Sequence, residues 1–218
     1  MTPEQFIDVF RECRASAILR TDDPEAIAPA MDAAIAGGFR IVEFTLTCPN
    51  ALDHIEAFAV RDDVIVGAGT VLTIEQARQS VEAGARCLVS PVLDPAIIAE
   101  AGRLNVAVMP GCFTATEMLT AHRAGADLCK LFPSPAPGNE AGPAYIKSIL
   151  APMPFLKIVP TNGVNQANAG AFLEAGAWAV GFTTALFDPA DLAAHRFDSI
   201  ERRARDLLDA VRAPARAH

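Results

Sequence analysis

The sequence predicts a single eight-stranded β/α barrel, a (β/α)8 TIM barrel with an extra N-terminal helix, spanning residues 1–218 as one domain. Three observations predict it. The 218 residues suit one α/β domain, because such barrels run to about 200–250 residues. Eight short apolar runs recur along the chain. Between successive runs, a helix-start signal and a closing glycine return in the same order.

The runs are residues 16–20, 40–46, 64–71, 87–91, 106–111, 128–133, 156–161 and 179–184. Continuous apolar segments of this length suit strands buried on both faces of a parallel sheet. Asp23-Pro24, Asp94-Pro95 and Asp188-Pro189 place a capping carboxylate before a proline at the first helical position. Thr73 to Gln76 and Thr114 to Glu117 read as capping boxes. Gly37-Gly38, Gly84, Gly102, Gly125 and Gly176 stand where a helix needs a left-handed residue before the next strand. Thr2 to Gln5, followed by Phe6, Val9, Phe10 and Cys13 on one face, predicts the helix ahead of the first strand, placed to plug the bottom of the barrel. An open, doubly wound sheet is the structural alternative.

Composition narrows the function. Half the residues are apolar, a fifth are charged, and the net charge is −8. That charge argues against nucleic acid or an anionic membrane surface as the main partner. No apolar run approaches the about 18 residues of a membrane span, and no signal region opens the chain, so a cytoplasmic protein is expected. The five cysteines are scattered and form no CxxC pair, which reads as buried thiols. The four histidines do not pair at metal-ligand spacing, so no metal and no cofactor are expected.

In a β/α barrel, chemistry sits at the C-terminal strand ends. The chain has only three lysines. Lys147 lies in a helical pattern, and Lys157 opens the seventh run at the end away from the expected site. Lys130 stands inside the sixth run, where alternation puts Leu128, Lys130 and Phe132 on one face. A buried ammonium is costly unless paired or deprotonated. Imine formation with a keto group needs the neutral amine. At an unperturbed pKa only about one lysine in 2,500 is neutral at pH 7, and burial raises that fraction. In the second run Glu43, Thr45 and Thr47 share one face, and a glutamate inside an apolar strand needs a partner. Lys130 is the candidate partner, with Glu43 moving protons; a purely structural ion pair is the competing reading.

Other strand ends offer binding groups. Gly69 and Thr70 end the third run, either as a ligand contact or as a tight turn. Pro91 shapes a pocket wall after the fourth. Arg20 ends the first run, where a guanidinium suits a carboxylate or phosphate, or simply faces solvent. Thr161-Asn162-Gly163 and Thr183-Thr184 follow the seventh and eighth runs, where many barrels hold phosphate.

Together VEFTLT (42–47), VGAGTVL (66–72), VSP (89–91), MPGCFTATE (109–117), CKLFP (129–133) and VPTNGV (159–164) resemble the KDPG/KHG aldolase family, in order along the chain. The resemblance implies a metal-independent class I aldolase that cleaves a 2-keto-3-deoxy sugar acid. The acid would be 6-phosphorylated, and the products pyruvate and an aldehyde such as glyceraldehyde 3-phosphate. It further implies a homotrimer, Lys130 as the Schiff-base lysine, Glu43 as the general acid/base, and Thr70 and Pro91 at the pyruvate site. Phosphogluconate enzymes often carry arginine where this chain has Thr47; the run TLTCPN (45–50) and the first-strand Arg20 look more like the phosphogalactonate branch. Asn162 stands where the family usually has glycine, and Thr183-Thr184 where it usually has Gly-Ser. A phosphosugar isomerase or epimerase and a non-catalytic sugar-acid-binding barrel are the rival readings.

Overall fold

The computed structural model describes residues 1–134 and 141–212. Among the described residues the strands are β1 (Ala15–Leu19), β2 (Ile41–Thr45), β3 (Ile65–Gly69), β4 (Cys87–Val89), β5 (Ala107–Met109), β6 (Gly111–Cys112), β7 (Cys129–Leu131), β8 (Ile158–Pro160) and β9 (Val180–Phe182). The helices that bear on the site are α1 (Pro3–Cys13), α2 (Ile27–Ala36), α3 (Ala51–Ala59), α4 (Ile74–Glu82), α5 (Pro95–Arg103) and α6 (Ala115–Arg123). They continue as α7 (Ala141–Leu150), α8 (Ala169–Glu174), α9 (Pro189–Ala193) and α10 (Phe197–Arg212). Each of the eight apolar runs coincides with at least part of a strand, and every strand pairing is parallel.

The expected closed eight-stranded barrel is not what forms. The strands make a six-stranded half-barrel, in the order β5-β4-β3-β2-β1-β9, and a separate three-stranded sheet, β6-β7-β8. Two local causes account for the division. Pro110 lies between β5 and β6, has no N–H to give to a ladder, and splits the fifth run in two. On the other side, β8 and β9 form no ladder; the isolated bridge between Thr161 and Gly181 and the Trp178 N–H donating to the Ile158 carbonyl at 2.8 Å join the two edges. A Cβ at Gly181 would come within 2.7 Å of Thr161 Cγ2, so only glycine allows that approach.

Two packed layers follow from strand alternation. Ala17, Leu19, Val42, Phe44, Leu88, Val108, Leu131, Ile158, Val180 and Phe182 face the helices in the larger cluster. Ile41, Cys87, Val89, Ala107, Met109, Leu128, Val159 and Ala179 face inward around Phe6 and Phe10 of α1. The N-terminal helix thus fills the lower inner space. Thr2 caps it with a full capping box to Gln5, as the sequence predicts.

Most helix punctuation falls where the residue types dictate. Asp94 and Asp188 cap α5 and α9 ahead of a proline, and Thr114 with Glu117 forms the box of α6. Three details differ. Asp23 does not cap α2; its carboxylate accepts from the Glu25 N–H in a preceding turn, and the helix begins at Ile27. Thr73 caps α4, but Gln76 accepts from the Leu72 N–H instead of closing a box. Gly102 lies inside α5, and the left-handed position after that helix is Asn105, at φ 54°, an amide residue that tolerates it.

The inner aromatic plug predicts a large packing penalty. Phe10 is 1% exposed, so Phe10→Ala should lower unfolding stability by about 3–5 kcal/mol. Urea unfolding measures this; a loss under about 1 kcal/mol would show that α1 does not carry the lower core.

Candidate active site

The same alternation that points Ile41 into the inner cluster points Glu43 and Thr45 the same way, one and two positions higher on that face. Leu128 does this for Lys130, and Val159 for Thr161. The inner column is therefore apolar below and polar at its C-terminal end. Above the apolar layer lies a cavity of about 230 Å³. The half-barrel supplies Ile18, Arg20, Glu43, Thr45, Thr183 and Thr184 to its wall, and the small sheet supplies Lys130, Phe132, Thr161 and Asn162. Glu43 and Lys130 thus reach one cavity from two different sheets.

Both are deeply buried, at 4% and 7% exposure. Burial pushes the Glu43 carboxyl above its ordinary range, against the opposing charges of Lys130 and Arg20. Burial likewise pushes the Lys130 amine below its ordinary value; Glu43 opposes that shift and Arg20 adds to it. Each group is moved toward its neutral form. The Lys130 Nζ lies 4.9 Å from the centre of the Phe132 ring. The expected direct pairing of Glu43 with Lys130 is absent. No ion pair joins them, and Glu43 Oε1 is buried without a hydrogen-bond partner among the described residues. That oxygen is packed against Gly69, while the Glu43 side chain contributes to the cavity wall. Thr161 Oγ1 is likewise buried and unpartnered.

Several predicted residues act on this cavity from outside its wall. A Cβ at Gly69 would come 2.0 Å from Glu43 Oε1, so glycine there makes the space the carboxylate occupies. Arg20 Nη2 donates to Thr70 Oγ1 at 3.0 Å. Thr70 holds a left-handed backbone at φ 62°, unusual for a β-branched residue and typical of strained functional positions. The Thr45 and Thr47 hydroxyls are 2.9 Å apart, so Thr47 supports Thr45 rather than lining the cavity. Pro91 does not line it either; its carbonyl packs under Gly111, where a Cβ would come within 2.2 Å.

Gly163 lies in an adjoining, more open hollow of about 630 Å³, which shares Asn162 and Thr184 with the first. Asn162 adopts φ 59° and Gly163 φ 102°. The backbone N–H groups of Gly163, Val164 and Thr184 donate to no protein acceptor among the described residues. The wall of this hollow carries no lysine, arginine or histidine. Among the described residues, no group of three or more His, Cys, Asp or Glu is placed to hold a metal ion.

Sequence reasoning passed over Ile18 and Phe187, which also line the cavity. Ile18 was legible, since it sits two residues before Arg20 on the same face and pairs with Glu43 in the ladder. Phe187 lies in the turn ahead of α9 and carries no periodic signal.

A narrow cup with a buried amine and a buried carboxyl, both shifted toward neutrality, suits imine chemistry at a lysine. Known proteins agree. Residues 6–203 match the family model "KDPG and KHG aldolase". The 2-dehydro-3-deoxy-6-phosphogalactonate aldolase of Escherichia coli (strain K12) is 34% identical, over 90% of this chain and 92% of its own. A solved native KDPGal structure superposes with a TM-score of 0.81 at 32% identity, covering 91% of this chain and 94% of that one. The KDPG aldolase of Legionella pneumophila, solved with pyruvate captured as a covalent carbinolamine, gives 0.80 at 25% identity, over 92% and 97%. The chain belongs to the KDPG and KHG aldolase family, and it is an aldolase, a lyase.

The electrostatics predict opposite responses to two variants. In pH-dependent labelling of Lys130 followed by mass spectrometry, its amine should titrate below an ordinary lysine. Arg20→Gln removes a like charge and should raise that midpoint; Glu43→Gln removes an opposite charge and should lower it. Shifts in the same direction would mean that one of the two groups does not act on Lys130.

Proposed function

We propose that the protein cleaves a 6-phosphorylated 2-keto-3-deoxy sugar acid of the gluconate or galactonate series to pyruvate and glyceraldehyde 3-phosphate, through a Schiff base on Lys130. One observation carries the reading: a buried amine and a buried carboxyl, each biased toward its neutral form, line one small cavity.

The neutral Lys130 Nζ adds to the C2 carbonyl carbon, and loss of water leaves an iminium. The C4 hydroxyl gives up its proton, the C3–C4 bond breaks, and its electron pair flows into the iminium to form an enamine as the aldehyde departs. A proton returned to C3 regenerates the iminium, and water releases pyruvate and the free amine. Glu43 is the group placed to carry these protons. Burial raises its pKa above the ordinary carboxylate range, toward the protonated form that can donate. Arg20, held by Thr70, supplies the positive charge for the substrate carboxylate, with Thr45 and Thr161 as hydroxyl partners. Phe132 and Ile18 keep the reacting end dry.

The tail of the substrate extends into the adjoining hollow. There, the unpartnered N–H groups of Gly163 and Thr184 suit a phosphate held by backbone, and Asn162 and Thr183 border it. The similarity to phosphogalactonate and phosphogluconate aldolases supports the phosphorylated substrate. We further place the protein in the cytoplasm, as a homotrimer. Among the described residues, no helix is long and apolar enough to cross a membrane, and the five cysteines are free. Leu72, Val92 and Phe113 are exposed on the loops after β3, β4 and β6, and Ile74 at the start of α4, an apolar rim suited to subunit contact.

Pyruvate with borohydride should add one reduced pyruvyl group to Lys130 and none to the Lys130→Ala variant. In a coupled pyruvate-release assay, phosphorylated 2-keto-3-deoxy acids should exceed the free acids at least tenfold in kcat/KM. An adduct of equal yield on Lys130→Ala would remove the assignment of the lysine, and equal rates for both acids would remove the phosphate.

A further inference from the structure

The opposite end of the same strands carries a second constellation. Arg14 immediately precedes β1, Lys157 immediately precedes β8, and Trp178 lies just ahead of β9. Arg20, Thr161 and Thr183 leave the far ends of those three strands, about 15 Å away at the rise of a strand. With Arg11 of α1, these residues frame a groove of about 490 Å³, walled by Leu150, Phe155 and Leu156 among others. That volume falls within the range of small-molecule sites.

The groove is basic in an acidic protein. It is lined by two guanidinium groups and one ammonium group, and by no carboxylate. Among the described residues, none of the three cations makes a salt bridge, whereas Arg61, Arg78, Arg103, Arg196, Arg203 and Arg205 all do. Lys157 favours the ionisation of Asp127, whose carboxylate accepts from the Val108 N–H at 2.9 Å and does not line the groove. Two of the three cations lie over an aromatic ring instead. Arg11 lies 4.9 Å and Lys157 5.5 Å from the centre of Trp178. The indole N–H donates to the Ile7 carbonyl at 3.3 Å, which fixes the ring. Converging like charges repel one another, and a multiply charged anion would remove that repulsion while using the planar donor forks of the two arginines.

We propose that this groove binds a phosphorylated small molecule of sugar-phosphate size, at the end of the strands opposite the catalytic cavity. The phosphate takes the three cations, and the remaining volume and apolar wall take the rest of the molecule. The site is independent of the aldol chemistry, since it shares no residue with the catalytic cavity.

The chain contains a single tryptophan, so its fluorescence reports on this groove alone. Titration of the full chain with inorganic pyrophosphate at constant ionic strength should give a saturating change in that fluorescence. The midpoint should rise at least tenfold in Arg11→Gln or Lys157→Gln. Unchanged aldolase activity at the far end of the strands serves as the control for folding in both variants. No response in the wild type, a response that potassium chloride reproduces, or a rise below tenfold in both variants would overturn the proposal.

Discussion

The placement of two ionisable side chains in the inner column of the strands, above an apolar layer and away from bulk water, governs the rest of the structure. Strand alternation leaves only two faces, and the helix-facing one is filled by Phe44, Leu131, Ile158 and their neighbours. A slip of one residue in β2 or β7 would drive Glu43 or Lys130 into that apolar layer, at a cost no partner could offset. Below the pair, Phe6 and Phe10 of α1 exclude water from the inner column. The dry floor produces both pKa shifts, and both shifts move the groups toward the forms that imine and proton-transfer chemistry use. Gly69 completes the arrangement by giving up a side chain where the Glu43 carboxylate lies.

The division of the strands into a half-barrel and a smaller sheet has a direct bearing on that pair. Glu43 belongs to one sheet and Lys130 to the other. Their separation is therefore set not by a single ladder but by what joins the sheets: the Thr161–Gly181 bridge at one seam, the turn through Pro110 at the other, and the aromatic plug beneath. The absence of a direct ion pair is in keeping with this. The two groups line one cavity of about 230 Å³ without pairing with one another.

Much of this was legible in the residues, for physical reasons that differ from place to place. Lys130 and Glu43 stood out because a charge inside an apolar run has few tolerable positions. The capping carboxylates and threonines were legible because a helix N-terminus must satisfy its own N–H groups. Closure of the sheet was not, because a continuous apolar run hides the missing N–H of a proline such as Pro110, and the periodic pattern of β8 does not show how little of it reaches β9. Asp23-Pro24 carried the sign of a helix start but serves a turn, since a capping side chain is equally satisfied by either. Thr47 and Pro91 shared a face or a motif with site residues, yet alternation fixes direction and not reach, and they stop short of the cavity. Phe187 arrives from a turn, where no period exists to announce it.

The exchange of pyruvate's methyl protons for solvent deuterium, followed by proton NMR, tests the pairing of Lys130 with Glu43 most directly. It requires an enamine on the lysine and a proton carrier at C3, and no aldehyde. The wild type should exchange, Lys130→Ala should not, and Glu43→Gln should slow exchange by about 10²- to 10⁴-fold, the usual worth of a positioned acid–base group. Exchange at the wild-type rate in Glu43→Gln, or persistent exchange in Lys130→Ala, would contradict the account.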